Sequence, residues 1–317
     1  MRLLFIIDPI ESIKTYKDSS YAMMVEAARR GHQLAVSYVD GLAWSAGKIS
    51  ALTWSLVLTG DAAAWYRLDA PERVALSAFD AVLMRKDPPF DLEYLYATHL
   101  LQRAAAEGAR VFNRPQALRD HSEKLAILEF SEFTPPTIVA RDPALIHGFI
   151  DAEADAILKP LDGMGGSSIF RVRRDDPNRN VIVQIMTEFG ARSVMAQRYL
   201  PAIRDGDKRV LLIGGEVVPY CLARIPMAGE TRGNLAAGGS GRAQVVGPNE
   251  LRIAERLAPL LWQRGLLLVG LDVIGEQLTE INVTSPTCFQ EITAQTGFSV
   301  AGMFIDAVER ACVETSL

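Results

Sequence analysis

The sequence predicts an α/β domain followed by an α+β region, and three observations support this prediction. In the first third, short apolar or β-branched runs alternate with stretches of helical periodicity, the pattern of βαβ units around a parallel sheet. Beyond about Asp120 the strand-like runs are joined by tight glycine turns, which favours antiparallel hairpins. At 317 residues the chain exceeds the usual size of one hydrophobic core, so we expect two or three subdomains and a site in the cleft between them.

The first third contains a well-marked strand–helix–strand unit. Asp18-Ser19-Ser20 supplies an N-cap for its helix, and Gly31 lies where a left-handed residue would end it. The predicted elements of this region are strands at Arg2–Ile7, Gln33–Val39, Asp80–Met84 and Ala109–Phe112, and helices at Ser20–Arg30 and Leu92–Glu107. The stretch Trp44–Leu76 carries no recognisable motif.

The second part interleaves hairpins with helices, which is the α+β pattern. Its predicted strands are Val210–Ile213, Glu216–Leu222, Val269–Ile274 and Leu278–Val283, with turns at Gly214-Gly215 and Gly275. Its predicted helices are Ser122–Phe130, Pro143–Ile150, Asn249–Arg264 and Ser299–Ala311.

Composition and charge exclude several classes of protein. With 49% hydrophobic and 22% charged residues, the chain can bury a large core, which argues against disorder. A net charge of −5 without long single-sign runs argues against nucleic acid or anionic membrane as a partner. No apolar run reaches membrane-spanning length. The three cysteines form no C-x-x-C pair, so we expect no disulfide framework and a cytoplasmic location.

A glycine-rich turn follows a strand that ends in a lysine. Lys159 is followed by Gly163, Met164, Gly165 and Gly166. Glycines let backbone N–H groups converge on an anion, and the lysine adds a positive charge for phosphate. The segment matches neither a Walker loop nor a Rossmann fingerprint. A flexible hairpin turn with an incidental lysine therefore stays an open interpretation.

Two further segments are candidates for nucleotide binding, together with Lys124 near the start of a predicted helix. An apolar strand from Val194 is stopped by Pro201, which leaves backbone groups free to pair with a purine edge. Those backbone groups belong to Gln197, Arg198, Tyr199 and Leu200. Downstream, Asp207 can accept from a ribose hydroxyl and Arg209 can reach a phosphoryl oxygen. An ordinary strand end and an exposed charged turn are the alternatives.

An acidic hairpin predicts a metal site. Glu280 and Asn282 are alternate residues of one strand and share a face. Asp272 joins them only if the loop between the strands is odd, so we expect the three-residue loop Gly275-Glu276-Gln277. Oxygen ligands on one face, completed by phosphate, suit Mg²⁺. A solvated strand face is less favoured because the flanking residues are apolar.

The segment Arg224–Arg242 combines five glycines with three arginines and predicts a mobile loop at residues 225–242. Such a loop can close over a reactive phosphate, with Arg224 and Arg232 stabilising charge. A disordered linker is the alternative.

These motifs occur in the order that resembles the ATP-grasp superfamily, and the whole chain is similar to its bacterial glutathione synthetase family. The resemblance rests on Asp8-Pro9-Ile10, Lys17-Asp18-Ser19-Ser20, Met84–Asp91, Asn113-Arg114-Pro115, Lys159–Gly166, Arg232–Gly239 and Glu280–Thr287. It implies a substrate domain at 1–120 and an ATP-grasp domain at 121–317, with lobes at about 121–200 and 201–317.

The resemblance also implies a chemistry. ATP phosphorylates the cysteinyl carboxylate of γ-glutamylcysteine, glycine attacks the acyl phosphate, and glutathione, ADP and phosphate result. Asp272, Glu280 and Asn282 would hold Mg²⁺, with Mn²⁺ as the alternative, while Lys124 and Lys159 offset phosphate charge. Arg209 and Arg224 would act in catalysis. The expected dipeptide ligands are Ser20, Arg85, Arg232 and Asn234.

Two competing functions share the nucleotide-binding residues. One is another ATP-grasp carboxylate–amine ligase, of the D-alanine–D-alanine or glutamate-adding type. The other is a catalytically silent ATP-binding regulator, which the complete set of lysines, arginines and acids argues against. A homo-oligomer, specifically a tetramer, is implied by the resemblance alone.

Overall fold

The computed structural model describes residues 1–163, 165–227, 229–230, 233 and 238–313. Within these ranges the strands form three sheets that follow one another along the chain. The first sheet is partly parallel and the other two are antiparallel, which confirms the predicted change from α/β to α+β. The described helices include none with the length and apolar character needed to cross a membrane.

The first sheet has the strand order β3-β4-β2-β1-β7-β8, and β5 and β6 both pair with β4. Its strands are β1 (Arg2–Ile6), β2 (Gln33–Ser37), β3 (Leu42–Ser45), β4 (Lys48–Leu58), β5 (Tyr66–Leu68), β6 (Glu72–Ala75), β7 (Ala81–Met84) and β8 (Val111–Phe112). Its helices are α1 (Ser19–Arg29), α2 (Leu92–Ala106) and α3 (Pro115–Asp120). The strands β2, β1, β7 and β8 run parallel, as predicted. The stretch without motifs supplies antiparallel strands at one edge.

The ends of α1 are determined by local sequence. The Asp18 side chain accepts a hydrogen bond of 2.9 Å from the Tyr21 N–H, which satisfies one of the free donors of the first turn. Gly31 follows the helix with a φ of +80°, a conformation that glycine adopts without a Cβ clash. Both predicted caps are confirmed.

The second sheet has the order β11-β10-β12-β9. Its strands are β9 (Thr137–Ala140), β10 (Asp155–Pro160), β11 (Phe170–Arg173) and β12 (Val194–Arg198), and its helices are α4 (Pro143–Glu153) and α5 (Arg179–Met186). The helix expected at Ser122–Phe130 is instead a 3-10 helix at Ala126–Phe130. The Glu123 carbonyl accepts from the Ile281 N–H at 3.0 Å, so it is drawn into contact with a strand rather than into a helix.

The third sheet has the order β16-β15-β13-β17-β18, with β14 paired to β13. Its strands are β13 (Asp207–Ile213), β14 (Glu216–Val217), β15 (Tyr220–Ile225), β16 (Ser240–Val245), β17 (Leu268–Ile274) and β18 (Gln277–Asn282). The accompanying helices are α6 (Pro248–Gln263), α7 (Phe289–Thr296) and α8 (Val300–Val313). The single strand expected at Glu216–Leu222 is divided, because Pro219 has no N–H to donate to a ladder. Shorter 3-10 helices lie at Ile10–Ser12, Val39–Gly41, Leu76–Ala78 and Pro201–Asp205.

The first and third sheets share their hydrophobic cores, whereas the second sheet has a core that is largely its own. Buried residues of the first and third sheets belong to common clusters: Leu4 with Val210 in one, and Phe5 with Leu211 in the other. The second sheet and its two helices pack mainly around a separate small core that includes Leu158 and Val183. The third sheet is therefore joined to the N-terminal region by buried apolar contacts, whereas the second sheet forms a lobe of its own.

Candidate active site

A cavity of about 490 Å³ is lined by residues from all three sheet regions. It lies where the second and third sheets face each other, and the loop that follows β1 reaches its edge. The predicted site residues that line it are Lys124, Lys159, Gly163, Gly165, Gly166, Gln197, Arg198, Tyr199, Leu200, Asp207, Arg209, Arg224, Asp272, Glu280 and Asn282. Segments far apart in the sequence therefore converge on one space large enough for a small-molecule ligand.

The acidic hairpin has the predicted pairing but not the predicted loop. Ile274 pairs with Gln277, so the turn has two residues and the three-residue loop is wrong. The register then shifts by one residue after Val273, and Asp272 lies opposite Glu280. A β-bulge at Thr279 supplies this shift. The two carboxylates therefore share a face although the loop is even.

The bulge also presents a carbonyl to the second sheet. The carbonyl of Thr279 accepts from the Lys159 ammonium at 3.1 Å, while its hydroxyl donates to the Asp272 carbonyl at 3.1 Å. Burial lowers the pKa of Lys159, and the nearby Glu280 carboxylate opposes this. Lys159 is thus a buried cation that reaches across the cavity to the third sheet.

The oxygens at this hairpin suit a hard divalent cation. The Asn282 amide donates its Nδ2 to the Gly270 carbonyl at 3.1 Å, which leaves Oδ1 to face a ligand. Glu280 Oε1 accepts from Lys124 Nζ at 3.2 Å, and its side chain keeps 21% exposure. No three His, Cys, Asp or Glu side chains in the described ranges form a metal cluster by themselves. The residues fit Mg²⁺ only as a partial set that substrate oxygens complete.

Two buried arginines hold Asp272, the second carboxylate of the predicted metal set. Asp272 accepts from Arg209 Nε at 2.6 Å and from Arg224 Nη2 at 2.9 Å. Burial alone would raise the pKa of Asp272, but attraction to the two guanidinium groups outweighs it and holds that pKa below its usual range. Gly270 makes room for this cluster, since a Cβ there would lie 2.9 Å from Arg209 Cδ.

Asp207 is the second acid of this cluster, and its pKa is shifted in the opposite direction from that of Asp272. Its Oδ2 accepts from Arg224 Nη2 at 2.5 Å, whereas its buried Oδ1 has no hydrogen-bond partner among the described residues. Burial raises the pKa of Asp207 to about 6, although Arg224 opposes the shift. Two neighbouring carboxylates that share an arginine thus differ in how readily they ionise.

The glycine-rich turn is fixed to the acidic hairpin by Lys124. The Lys124 ammonium donates to the Gly163 carbonyl at 2.6 Å as well as to Glu280. A Cβ at Gly163 would lie 2.7 Å from Pro160 Cγ, so a larger residue would force the turn to move. The turn therefore brings its backbone beside two buried lysines, an arrangement suited to phosphate oxygens.

The strand end at Gln197–Leu200 offers fewer free backbone groups than expected. The N–H groups of Arg198 and Tyr199 donate to the carbonyls of Pro136 and Asp155, both at 3.0 Å. In the described part of the chain only the Leu200 amide of these three is left for a ligand. The prediction of free N–H groups is therefore wrong for Arg198 and Tyr199, because β12 continues its contacts one residue past its end.

Ser20 and Arg85 meet each other rather than the cavity. Arg85 is 5% exposed and donates to Ser20 Oγ at 3.0 Å and to the Pro286 carbonyl at 2.9 Å. Neither residue lines the cavity, so their positions do not support the predicted contact with the dipeptide. The contact instead joins the start of α1 to the loop before α7. Met164, Arg232 and Asn234 lie outside the described residues, as do 228, 231 and 235–237 of the predicted mobile loop. The predicted bounds of that loop are too wide, because Ile225 belongs to β15 and 240–242 belong to β16.

Sequence reasoning missed several residues that line the cavity. Glu123 accepts from Thr284 N and Oγ1, at 3.0 and 2.8 Å, and so fixes the loop that follows β18. Cys288 and Glu291 line the cavity beyond that loop, and Lys14 and Lys17 line it from the N-terminal region. The resemblance included Lys17 in a motif, but no local pattern marked Cys288 or Glu291.

The chain has the ATP-grasp fold. Among solved structures, the chain resembles the D-cycloserine synthetase DcsG with a TM-score of 0.67 at 14% identity, covering 98% of this chain and 99% of that one. It also resembles the ATP-grasp ligase PsnB, solved with a minimal precursor, Mg and ADP, with a TM-score of 0.62 at 16% identity and coverage of 99% and 98%. At such identities these structures establish the fold alone.

The chain belongs to the prokaryotic glutathione synthetase family. The model of that family's N-terminal domain matches residues 1–119, and the model of its ATP-grasp domain matches residues 123–297. The chain is 60% identical over 316 residues to the glutathione synthetase of Ralstonia nicotianae, spanning 100% of this chain and 98% of the relative. It is 56% identical over 314 residues to that of Nitrosomonas europaea, with 98% of each covered.

These matches establish a class of reaction. The chain is an ATP-dependent ligase that forms C–N bonds. The alternatives of a D-alanine–D-alanine or glutamate-adding ligase are not favoured, because the family models and full-length relatives all carry the same name.

Proposed function

We propose that this chain joins the cysteinyl carboxylate of γ-glutamylcysteine to the amine of glycine, with conversion of ATP to ADP and phosphate. The observation that carries the proposal is the convergence in one cavity of four buried cations with the acidic hairpin; the cations are Lys124, Lys159, Arg209 and Arg224. Membership of the glutathione synthetase family supports the choice of substrates.

The nucleotide occupies the space between the second and third sheets in this proposal. Lys124 and Lys159 offset the charge of the phosphates, and the turn at Gly163–Gly166 supplies backbone donors. Gln197 and the Leu200 amide face the base. The unpartnered Asp207 Oδ1 is positioned to accept from a ribose hydroxyl, because a buried carboxylate oxygen gains from a donor.

The acidic hairpin holds the metal ion in this proposal. Glu280, the Asn282 Oδ1 and Asp272 supply its protein oxygens. Mg²⁺, or Mn²⁺, when bound supplies positive charge that offsets the phosphates and aligns the transferring group. Lys124 keeps Glu280 in place, since it donates to that carboxylate and to Gly163 at once.

Arg209 and Arg224 act on the reacting groups. In the first step a cysteinyl carboxylate oxygen attacks the γ-phosphorus and the bond to the departing ADP oxygen breaks. In the second, the glycine nitrogen attacks the acyl carbon, and phosphate leaves with the electron pair of the C–O bond. The guanidinium groups stabilise the charge that develops on the phosphoryl and acyl oxygens. Asp272 positions both guanidinium groups, because it accepts from each.

The remaining assignments are also proposals. Arg232 and Asn234 contact the dipeptide, and the segment between β15 and β16 closes over the reacting phosphate. Ser20 and Arg85 position the loop before α7. The substrate domain occupies 1–120 and the ATP-grasp domain 121–317. The enzyme acts in the cytoplasm as a homo-oligomer, and sedimentation of the purified protein tests whether it is a tetramer.

The decisive experiment measures ADP release with ATP and Mg²⁺ for three substrate sets. γ-Glutamylcysteine with glycine is compared with D-alanine and with glutamate as the amine-bearing substrate. We expect turnover with the dipeptide and glycine alone. Turnover with D-alanine but not with the dipeptide would overturn the proposal, and so would an absence of ADP release from every set.

A further inference from the structure

One end of the cavity contains a carboxylate for which the reaction described above has no use. Glu291 lies in the first turn of α7 and lines the cavity. Its Oε2 is buried and has no hydrogen-bond partner among the described residues. A buried carboxylate oxygen without a donor is costly, so a donor supplied by a ligand would be strongly favoured there.

The other acids of the cavity have partners of their own. Asp272 and Asp207 face arginines, Glu280 faces Lys124, Glu123 accepts from the Thr284 backbone and hydroxyl, and Asp18 caps α1. Asp87 is hydrogen-bonded to Ser285 and lies near the charge of Arg85. Asp207 also has a spare oxygen, but Arg224 already compensates its charge. Glu291 alone among these acids combines a buried oxygen that has no hydrogen-bond partner with the absence of a bonded cation in the described ranges, which makes it the acid best placed to receive a cationic donor.

A lysine faces Glu291 from the N-terminal region. Gln290 Nε2 donates to the carbonyls of Thr15 and Asp18, at 2.8 and 2.6 Å, and so holds the segment between them against α7. Lys17 lies in this segment and lines the cavity. Burial raises the pKa of Glu291, and the charge of Lys17 opposes that shift. One anion and one cation therefore lie at the same end of the cavity without a direct ion pair.

The position of this end follows from Cys288. The electrostatic surroundings of the Cys288 thiol include Arg209, Arg224 and Glu291. Cys288, the two arginines and Glu291 all line the cavity, so the thiol lies near both the arginine pair and Glu291. A ligand whose reacting carboxylate meets the arginines would extend past Cys288 towards Glu291 and Lys17.

We propose that Glu291 and Lys17 form the subsite for the amino-acid end of the γ-glutamyl group. Glu291 accepts hydrogen bonds from the α-ammonium, and Lys17 donates to the α-carboxylate. The inference rests on the proposed function, and it deepens it by assigning the part of the dipeptide that does not react. The glycine amine is not the cation in question, because a nucleophilic amine must be unprotonated when it attacks.

The test compares two substrates that differ by one amine. Glutarylcysteine has the chain of γ-glutamylcysteine without its α-ammonium. For the wild type we expect a higher KM for glutarylcysteine. Glu291→Gln should raise the KM for γ-glutamylcysteine on the order of 10- to 100-fold, the size expected when a charge-assisted hydrogen bond is removed. The same variant should change the KM for glutarylcysteine by less than about threefold, which is the size of effect expected from an ordinary surface substitution. The KM for ATP should be unaltered.

Two further variants complete the design. Glu255→Gln removes an exposed carboxylate on α6 and should leave every constant unchanged. Lys17→Met removes an exposed ammonium without disturbing a core, and it should raise the KM for both substrates because both retain the carboxylate.

Three results would contradict the inference. An equal rise of KM for both substrates in Glu291→Gln would mean that the residue does not contact the amine. A fall in kcat with a shifted pH profile would make it a general base instead. If Glu291→Gln had the same KM for the dipeptide as the wild type, Glu291 would not belong to the subsite. A wild type without any activity on the dipeptide and glycine would instead overturn the proposed function.

Discussion

The second and third sheets face the same cavity but are stabilised in different ways. The third sheet carries a cluster in which Arg209, Arg224 and Asp272 neutralise one another, and its core is shared with the first sheet. The second sheet has a largely separate core and one buried lysine that reaches across to Thr279. In the third sheet the same side chains therefore serve stability and chemistry, whereas in the second sheet the two roles are separable.

The strongest test of this comparison removes an arginine from the third sheet. Arg224→Met leaves Asp207 buried without its cation, so we expect a loss of about 3 to 5 kcal/mol in the free energy of unfolding. Turnover should fall about 10³-fold. Urea unfolding and ADP release measure the two effects, and Arg256→Met on the exposed face of α6 is the control. A stable but inactive Arg224→Met would show that the cluster contributes nothing to folding.

The next variant lies at the edge of the same sheet, where a carboxylate is partly exposed. Glu280→Gln keeps the shape of the side chain but removes the charge proposed to hold the metal ion. Turnover should fall between about 10²- and 10³-fold, with a change in stability below about 1 kcal/mol. Glu276→Gln in the turn of the same hairpin is the matched control. If raising the Mg²⁺ concentration had no effect on the residual rate, Glu280 would not be a metal ligand.

The second sheet is tested through its lysine. Lys159→Met retains the apolar stem and removes the ammonium, so we expect ATP to bind about 10- to 100-fold more weakly. The melting midpoint should stay close to that of the wild type, since the substitution removes a single hydrogen bond, the one to the Thr279 carbonyl. Calorimetric titration with ATP and thermal unfolding measure the two quantities. A midpoint as low as that of a core variant such as Leu158→Ala would make Lys159 a structural residue.

The smallest expected effect is a pH dependence within the third sheet. The pKa of Asp207 is raised from 3.8 to about 6 in the folded chain. Between these values the unfolded chain loses the proton while the folded chain keeps it, so stability falls as pH rises through this window. Asp207→Asn should lack this contribution, which is on the order of 3 kcal/mol. Urea midpoints at several pH values compare the two proteins, and parallel curves would show that Asp207 titrates normally.

The sequence predicted the features that depend on local pattern. The caps of α1, the parallel strands and the antiparallel hairpins follow from periodicity and from turn residues, which act over a few positions. Alternation placed Glu280 and Asn282 on one face of β18, whereas Asp272 on β17 was joined to them by counting the residues of the loop. The reasoning failed at the turn, because a bulge follows no simple count and changes the register after the turn has been formed.

Other features were beyond the reach of local pattern. The pairing of Arg209 and Arg224 with Asp272 joins three strands, and the contact of Arg85 with Pro286 spans 201 positions. The hydrogen bond from Gln290 to the Asp18 carbonyl spans 272 positions. Such contacts exist only after the sheets have assembled, so charge and spacing in the sequence could indicate the chemistry of these residues but not their partners.

The bulge at Thr279 makes the alignment of the two carboxylates independent of the contact between the second and third sheets. Val273 pairs with Leu278 and Asp272 with Glu280, so deletion of Thr279 would leave a regular ladder with the same two acids opposed. The deletion would remove the carbonyl that accepts from Lys159. The additional residue is therefore dispensable for aligning the carboxylates and acts as a spacer between two lobes. A shortened hairpin would keep its acidic face and change only how closely the second sheet is held above it.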